Sequence, residues 1–380
     1  LARVRLVVVG TVTVGSTACT GAPETGGSSA ALPTWQVSPA VTLSIGELEG
    51  DEAYVLSRVN DVVLLDDGGV AVADGGSSTI RVYGPDASVR AISGGPGEGP
   101  GEYEWINDLT YRPPDTLVAH DPMLTRLTTL SDHGARVAST TTFRVDDGWA
   151  EIYLGRFPDG SHAFAWIRQA DGPRPDGARA DPMGIGRFAA DGTYLANLAD
   201  DVGMRRLGPG RTPFSPDFLC RVVGNTAVHG DGLLPRLRRT GMSGEAAEPL
   251  DVGLPSSTLD AAWEAYRADA DSGSLARFAE IRGAPVLDSV PVVADLLVDD
   301  VDRMWLKAFD PRTDSHWRLR RRTGGSWLVL EADGTPVARV AVPEGFRLTD
   351  VRGDAVAGVS RDELGVERVE VRALQRSRGR

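Results

Sequence analysis

Only two of the 380 residues are cysteine, Cys19 and Cys220, far apart along the chain. So few thiols exclude a disulfide framework and a Cys-rich metal site. Lysine is scarcer still: Lys307 is the only one, and arginine supplies the rest of the basic charge. The net charge is −13. An acidic chain of this kind is not a partner for a nucleic-acid backbone, which needs clustered Lys and Arg. The basic stretches from Arg318 to Arg322 and from Arg372 to Arg380 read as a solvated face and a frayed tail. The five histidines, His120, His133, His162, His229 and His316, never pair at H-x-H or H-x-x-x-H spacing, so no local zinc motif exists. No G-x-S-x-G elbow or phosphate loop is present either. The apolar run from Leu6 to Val14 is too short to span a bilayer.

That short run is informative in another way. Ala2-Arg3-Val4-Arg5 gives it a positive start and Ser16-Thr17-Ala18-Cys19 ends it, the layout of a secretory signal. The end resembles a bacterial lipobox, which implies cleavage before Cys19 and lipidation of its thiol. Thr17 and Ser16 depart from the commoner pattern, so ordinary signal cleavage stays open. Residues 20–34 are rich in Gly, Ser, Thr and Pro and read as a flexible tether. The expected product is exported and held on a membrane by its N-terminal lipid, in the periplasm or at the cell surface.

From residue 35 to 375 the chain reads as short strands separated by turn chemistry. Val70 to Asp74, Ile80 to Tyr83 and Val89 to Ile92 form the clearest unit. It recurs from Leu117 to Val137, more weakly from His162 to Leu195 around an inserted Pro/Gly/Asp-rich loop, and again from Thr226 to Gly244. Residues 257–281 carry Leu259, Trp263, Tyr266, Leu275 and Phe278 at helical spacing, a helical insertion with Ser257 or Thr258 as N-cap. Strands resume from Ala294 to Val342. The last unit, Phe346 to Leu374, has three strands and lacks a fourth. Trp35 to Ile45 can supply it, since closing a ring removes exposed strand edges. The expected fold is an all-β, six-bladed propeller closed by its N-terminal strand, followed by a basic tail at 376–380.

Between the first two units lies Gly94-Gly95-Pro96-Gly97-Glu98-Gly99-Pro100-Gly101-Glu102-Tyr103. Five glycines and two prolines in ten residues form an ordered turn, not a strand. The stretch resembles the GPGEF/Y signature of the bacterial six-bladed β-propeller lipoproteins, and Val72 to Tyr83 resembles an NHL-type repeat. Val342 to Phe346 and Ser360 to Val366 are similar to the ends of those proteins. The resemblance implies the fold and export. It implies no catalytic residue, because the family has no general activity assigned.

The chemistry therefore has to come from side chains. Asp74, Asp121 and Asp231 follow their strands at comparable places, with His120 and His229 beside two of them. Such a ring could hold Ca²⁺ or Zn²⁺ on a propeller axis. The alternative is that each Asp caps the turn it begins. Glu98 and Glu102 either present carboxylates to a cation or basic partner or decorate a rigid connection. Cys220, in an apolar run, reads as a buried structural thiol. Eight tryptophans invite a carbohydrate platform, but Trp305 and Trp327 fall in strands and suit packing between blades. Two functions stand: a monomeric binding module for a protein, peptide or carbohydrate, without chemistry of its own; or a metal-dependent hydrolase or lyase resembling the gluconolactonase-like and amidating-lyase propellers.

Overall fold

The structure is a computed structural model and describes residues 32–145, 148–168, 178–207, 210–211, 214, 216–269, 289–314 and 323–377. The signal, Cys19 and most of the tether lie outside the described residues, as do Arg318 to Arg322, residues 270–288 of the insertion and the last three residues of the tail.

The described chain is nearly all β. β1 (Thr34–Ile45) leads to an antiparallel meander of β2 (Val59–Leu64), β3 (Val70–Asp74), β4 (Thr79–Tyr83) and β5 (Val89–Gly94). A second meander follows: β6 (Asp108–Arg112), β7 (Thr116–Asp121), β8 (Arg126–Ser131) and β9 (Arg136–Thr142). A two-residue pair, β10 (Arg144–Val145) with β11 (Gly148–Trp149), leads into the third, of β12 (Ile152–Arg156), β13 (His162–Ile167), β14 (Ala178–Phe188), β15 (Tyr194–Leu207) and the short β16 (Gly210–Arg211). The fourth is β17 (Leu219–Val223), β18 (Thr226–Gly230), β19 (Arg236–Gly241) and β20 (Ala246–Asp251). The helix α1 (Leu259–Asp269) interrupts the pattern, its N-terminus capped by Thr258, whose Oγ1 accepts the Ala261 N–H at 3.2 Å.

The remaining strands form one eight-stranded sheet. It runs through β21 (Val293–Val298), β22 (Met304–Ala308), β23 (Gly325–Leu330) and β24 (Pro336–Val342), crosses β1, and continues through β27 (Glu367–Arg376), β26 (Ala355–Arg361) and β25 (Arg347–Arg352). β1 is antiparallel to β27 along most of its length and parallel to β24 over Thr34 to Gln36. It thus supplies a fourth strand to β25–β27 and covers two edges at once. Trp35, Val37, Leu43 and Ile45 are its buried apolar positions.

The apolar core is divided into clusters between neighbouring meanders. Leu117 and Ala119 pack on Ala71 and Ile80; Phe143, Phe164 and Phe188 pack on Val118 and Leu127; Cys220 and Ala227 pack on Ala163 and Ile185. Leu219 and Val228 meet Leu296 and Met304, Trp305 and Trp327 meet Leu348 and Val356, and Val369 and Val371 return to Val62 and Val72. The last cluster closes on the first meander. Trp305 and Trp327 are both buried in this packing, and Cys220 is a buried free thiol. The arrangement is propeller-like: sheets face one another around an axis, and the first strand of each run is innermost. β2 lies beside β25 and β6, and β17 beside β12 and β21.

Candidate functional site: a polar channel lined by the first strands

A short pattern recurs on the inner strands: Asn60-Asp61-Val62, Asn107-Asp108-Leu109, Ala294-Asp295-Leu296 and Thr349-Asp350-Val351. In three of these the ladder breaks just before the Asp, between Val59 and Asp61, Val293 and Asp295, and Leu348 and Asp350. A bulge re-aims a side chain and frees backbone groups from the ladder. Each of these carboxylates takes the N–H that follows it: Val62, Leu296 and Val351 donate to Asp61, Asp295 and Asp350 at 2.9 Å. The second oxygen reaches the next sheet. Leu109 N–H donates to Asp61 at 2.8 Å, and Leu64 N–H to Asp350 at 2.7 Å. Adjacent inner strands are stitched by these bonds.

Two guanidinium groups stand among the carboxylates. Arg221 on β17 donates to the Cys220 carbonyl at 2.8 Å, and Arg347 on β25 crosses to β2, donating to the carbonyls of Asn60 at 3.0 Å and Val59 at 2.8 Å. Asp108 takes the Asn107 amide at 2.8 Å and lies 3.3 Å from His120 Nδ1. Burial and the neighbouring charge of Asp108 push the Asp61 carboxyl up to about 8. Burial raises Asp350 to about 6 and also raises Asp295. Burial works the same way on Asp108, but its hydrogen bond to His120, the His120 charge and Arg221 hold it below the ordinary value. Burial lowers Arg347 despite the charge of Asp61; at Arg221 the charges of Asp108 and Asp295 outweigh burial and raise it. The Cys220 thiol is pushed up to about 12 by burial, so it is no nucleophile.

These strands surround one cavity of ≈ 780 Å³, lined by residues of β2, β6, β12, β17, β21 and β25 together. That volume falls in the range of small-molecule sites. Toward its mouth Tyr153 on β12 sits between Arg112 and His162: its hydroxyl is 3.4 Å from Arg112 Nη2 and 3.1 Å from His162 Nδ1. Burial and the charges of Arg112 and Arg156 lower His162 to about 4, so this imidazole is neutral near pH 7.

The residues singled out by sequence are placed elsewhere. Asp74 is buried at the end of β3, accepts N–H groups of Ser57 and Gly76 at 3.1 Å each, and pairs with Arg81 at 2.8 Å. Asp121 accepts four N–H groups, from Met123, Leu124, Glu104 and Trp105. Asp231 accepts the Leu233 N–H at 3.1 Å. His229 is bonded through Nδ1 to Asp201 and through Nε2 to Thr240. Only His120 approaches the channel, through Asp108. Among the described residues no three His, Cys, Asp or Glu side chains are grouped at metal-binding reach. Glu98 and Glu102 are exposed; Glu102 accepts the Gly99 N–H at 2.9 Å, and the carbonyls of both residues accept from Arg126. The channel residues Asp61, Asp108, Asp295 and Asp350 were not among the candidates from sequence. The signal that marks them is the N-D-V and N-D-L pair 47 residues apart at Asp61 and Asp108, within the period of a propeller array.

No family model matches the chain and no curated protein matches it by sequence. Solved structures do resemble it. A "Putative exported protein" from Bacteroides fragilis aligns with TM-score 0.50 and 11% identity over 90% of this chain and 99% of that one. A "putative gluconolactonase" gives 0.45 and 14% over 90% and 96%, and virginiamycin B lyase from Staphylococcus aureus 0.44 and 11% over 87% and 98%. At such identity the likeness is one of fold. The class is that of a propeller-like β protein with a polar axial cavity. No helix among the described residues is long and apolar enough to cross a membrane.

Proposed function

We propose that this chain is an exported, six-bladed propeller of the lipoprotein type, anchored through Cys19, and that it works as a binding module for a small polar molecule held in the axial cavity. The pairing of β1 with β27, and the short parallel β1–β24 contact at which the eight-stranded sheet can be divided, support the count of six. The observation that carries the binding reading is the cavity itself: β2, β6, β12, β17, β21 and β25 all contribute to one space of ligand size. Its lining holds both carboxylates and guanidinium groups, so a ligand meets polar groups and not an apolar pocket.

The test is a thermal-shift screen of sugars, amino acids and small acids on the purified full chain and on Thr110→Trp, which fills the cavity from β6. Stabilisation scales as RT ln(1 + [L]/Kd). A ligand that shifts the parent and not Thr110→Trp is the expected result; shifts that survive the substitution place binding elsewhere. The hydrolase or lyase reading requires a cation, so stoichiometric Ca²⁺ or Zn²⁺ in the purified protein, with loss of ligand shifts on chelation, would favour it instead. Membrane fractionation of Cys19→Ala checks the anchor.

A further inference from the structure

The arginines that line the cavity differ in how their charges are met. Arg221 and Arg347 feel the charges of Asp61, Asp108 and Asp295, and Arg352 is paired with Asp66 at 3.0 Å, while Asp299, Asp300 and Asp302 add carboxylates to the same lining. Arg112 and Arg156 are different. Arg112 touches only the neutral Tyr153 hydroxyl, and Arg156 donates through Nε to the Gly160 carbonyl at 3.3 Å. Among the described residues neither has a carboxylate partner. Both line the cavity, from the ends of β6 and β12. Arg112 is half-buried and Arg156 exposed, so both guanidinium groups stand beside the buried Tyr153 phenol with donors left for a ligand.

We propose that Arg112 and Arg156 are an oxyanion seat at the cavity mouth, taking the carboxylate or phosphate group of a small organic ligand while its polar body occupies the cavity. The inference rests on the cavity reading above. Guanidinium groups present several N–H donors in a planar fork that matches such oxygens, and charge-assisted bonds of this kind are the strong ones. The Tyr153 hydroxyl adds a neutral donor or acceptor at the same place, positioned by His162. Burial is the main cause of the depressed basicity of His162, and the charges of Arg112 and Arg156 add to it, which places both guanidinium groups near this ring.

The probes are citrate and inorganic phosphate, titrated calorimetrically into the full chain against sodium chloride of equal ionic strength. The variants are Arg112→Gln, Arg156→Gln and, as a control, Arg352→Gln, whose arginine already has its carboxylate. Saturable binding of either anion, weakened about tenfold or more in the first two variants and unchanged in the third, is expected. Preference between the probes then separates a carboxylate from a phosphate ligand. Binding that is equal in all variants, or no saturable binding at millimolar anion, overturns the seat. An uncharged sugar that binds the parent and not Thr110→Trp, in the absence of anion binding, would sink the seat and leave the cavity reading standing. Matching melting curves confirm that the glutamine variants are folded.

Discussion

Two sets of aspartates repeat through this molecule, and they differ in what surrounds them. Asp74, Asp121 and Asp231 close the second strands of their meanders. Their oxygens are taken by backbone N–H groups of the turns they begin, by N–H groups of the segment leading into the meander (Ser57 at Asp74, Glu104 and Trp105 at Asp121) and, at Asp74, by the buried Arg81. Asp61, Asp108, Asp295 and Asp350 lie on first strands. They are also bonded, but they open on a shared cavity, where burial acts on all four and the charge of Asp108 acts on Asp61. A carboxylate that recurs at a fixed place in a repeat is therefore not evidence of a site. What separates scaffold from site is whether its oxygens are taken up by surrounding backbone and buried cations or open on a common space.

Four substitutions break or sharpen that contrast. The largest loss is expected at Asp74. Asp74→Ala strands the buried Arg81 guanidinium and two N–H groups, and should cost about 3–5 kcal/mol in urea unfolding, as for other broken buried pairs. A loss below ~1 kcal/mol would put Asp74 outside the scaffold set. Next comes the Gly94–Tyr103 connection, where Glu102 makes a similar backbone bond in the open. Gly101 has φ +81° and a β-carbon there would lie 2.6 Å from Val137 Cγ2. Gly101→Ala should cost about 1 kcal/mol or somewhat more, and Glu102→Gln only a few tenths to about 0.5 kcal/mol. Gly99, unlike Gly101, has no positive φ, and a β-carbon there meets only the movable Glu102 carboxylate. Equal costs at Gly101 and Glu102 would mean that the exposed carboxylate, not the backbone, holds the loop.

An effect of opposite sign, which grows as pH rises, is expected at Asp61. Its folded value near 8 lies above the ordinary 3.8, so the native state holds a proton that the unfolded chain releases. Stability on this account falls as pH rises from about 4 to about 8 and levels off above. Asp61→Asn should flatten that decline and gain on the parent at the alkaline end, while differing little at pH 4. A parent and variant with parallel pH profiles would remove Asp61 from the crowded set.

In the first four meanders the sequence showed the outer strands and hid the innermost one, while β21 and β25 were legible. Val70 to Asp74 and Thr79 to Tyr83 are legible because β-branched residues between Gly-rich turns have no other good use. The N-terminal strand was legible from a missing partner, and α1 from its spacing and its Thr258 cap. The inner strands β2, β6, β12 and β17 were not identified. Their cavity-facing positions carry Asn60, Asp61, Asp108, Thr110, Arg156 or Arg221, so they read as polar connections, although their other face is core. The site went unseen for the same reason: charged residues on a half-buried strand look like loop until the opposing strands are in place. His120 and Asp121 were conspicuous as neighbours, but strand alternation sends them to different surroundings, His120 to Asp108 and Asp121 to its own turn.

The most direct measurement is the carboxyl carbon resonance of Asp61 followed by ¹³C NMR against pH, assigned by its loss in Asp61→Asn. A titration midpoint near 8 is expected, from burial in the channel beside Asp108. A midpoint near the ordinary 3.8 would show a solvated, unstressed carboxylate, and the distinction between the two sets of aspartates would not hold.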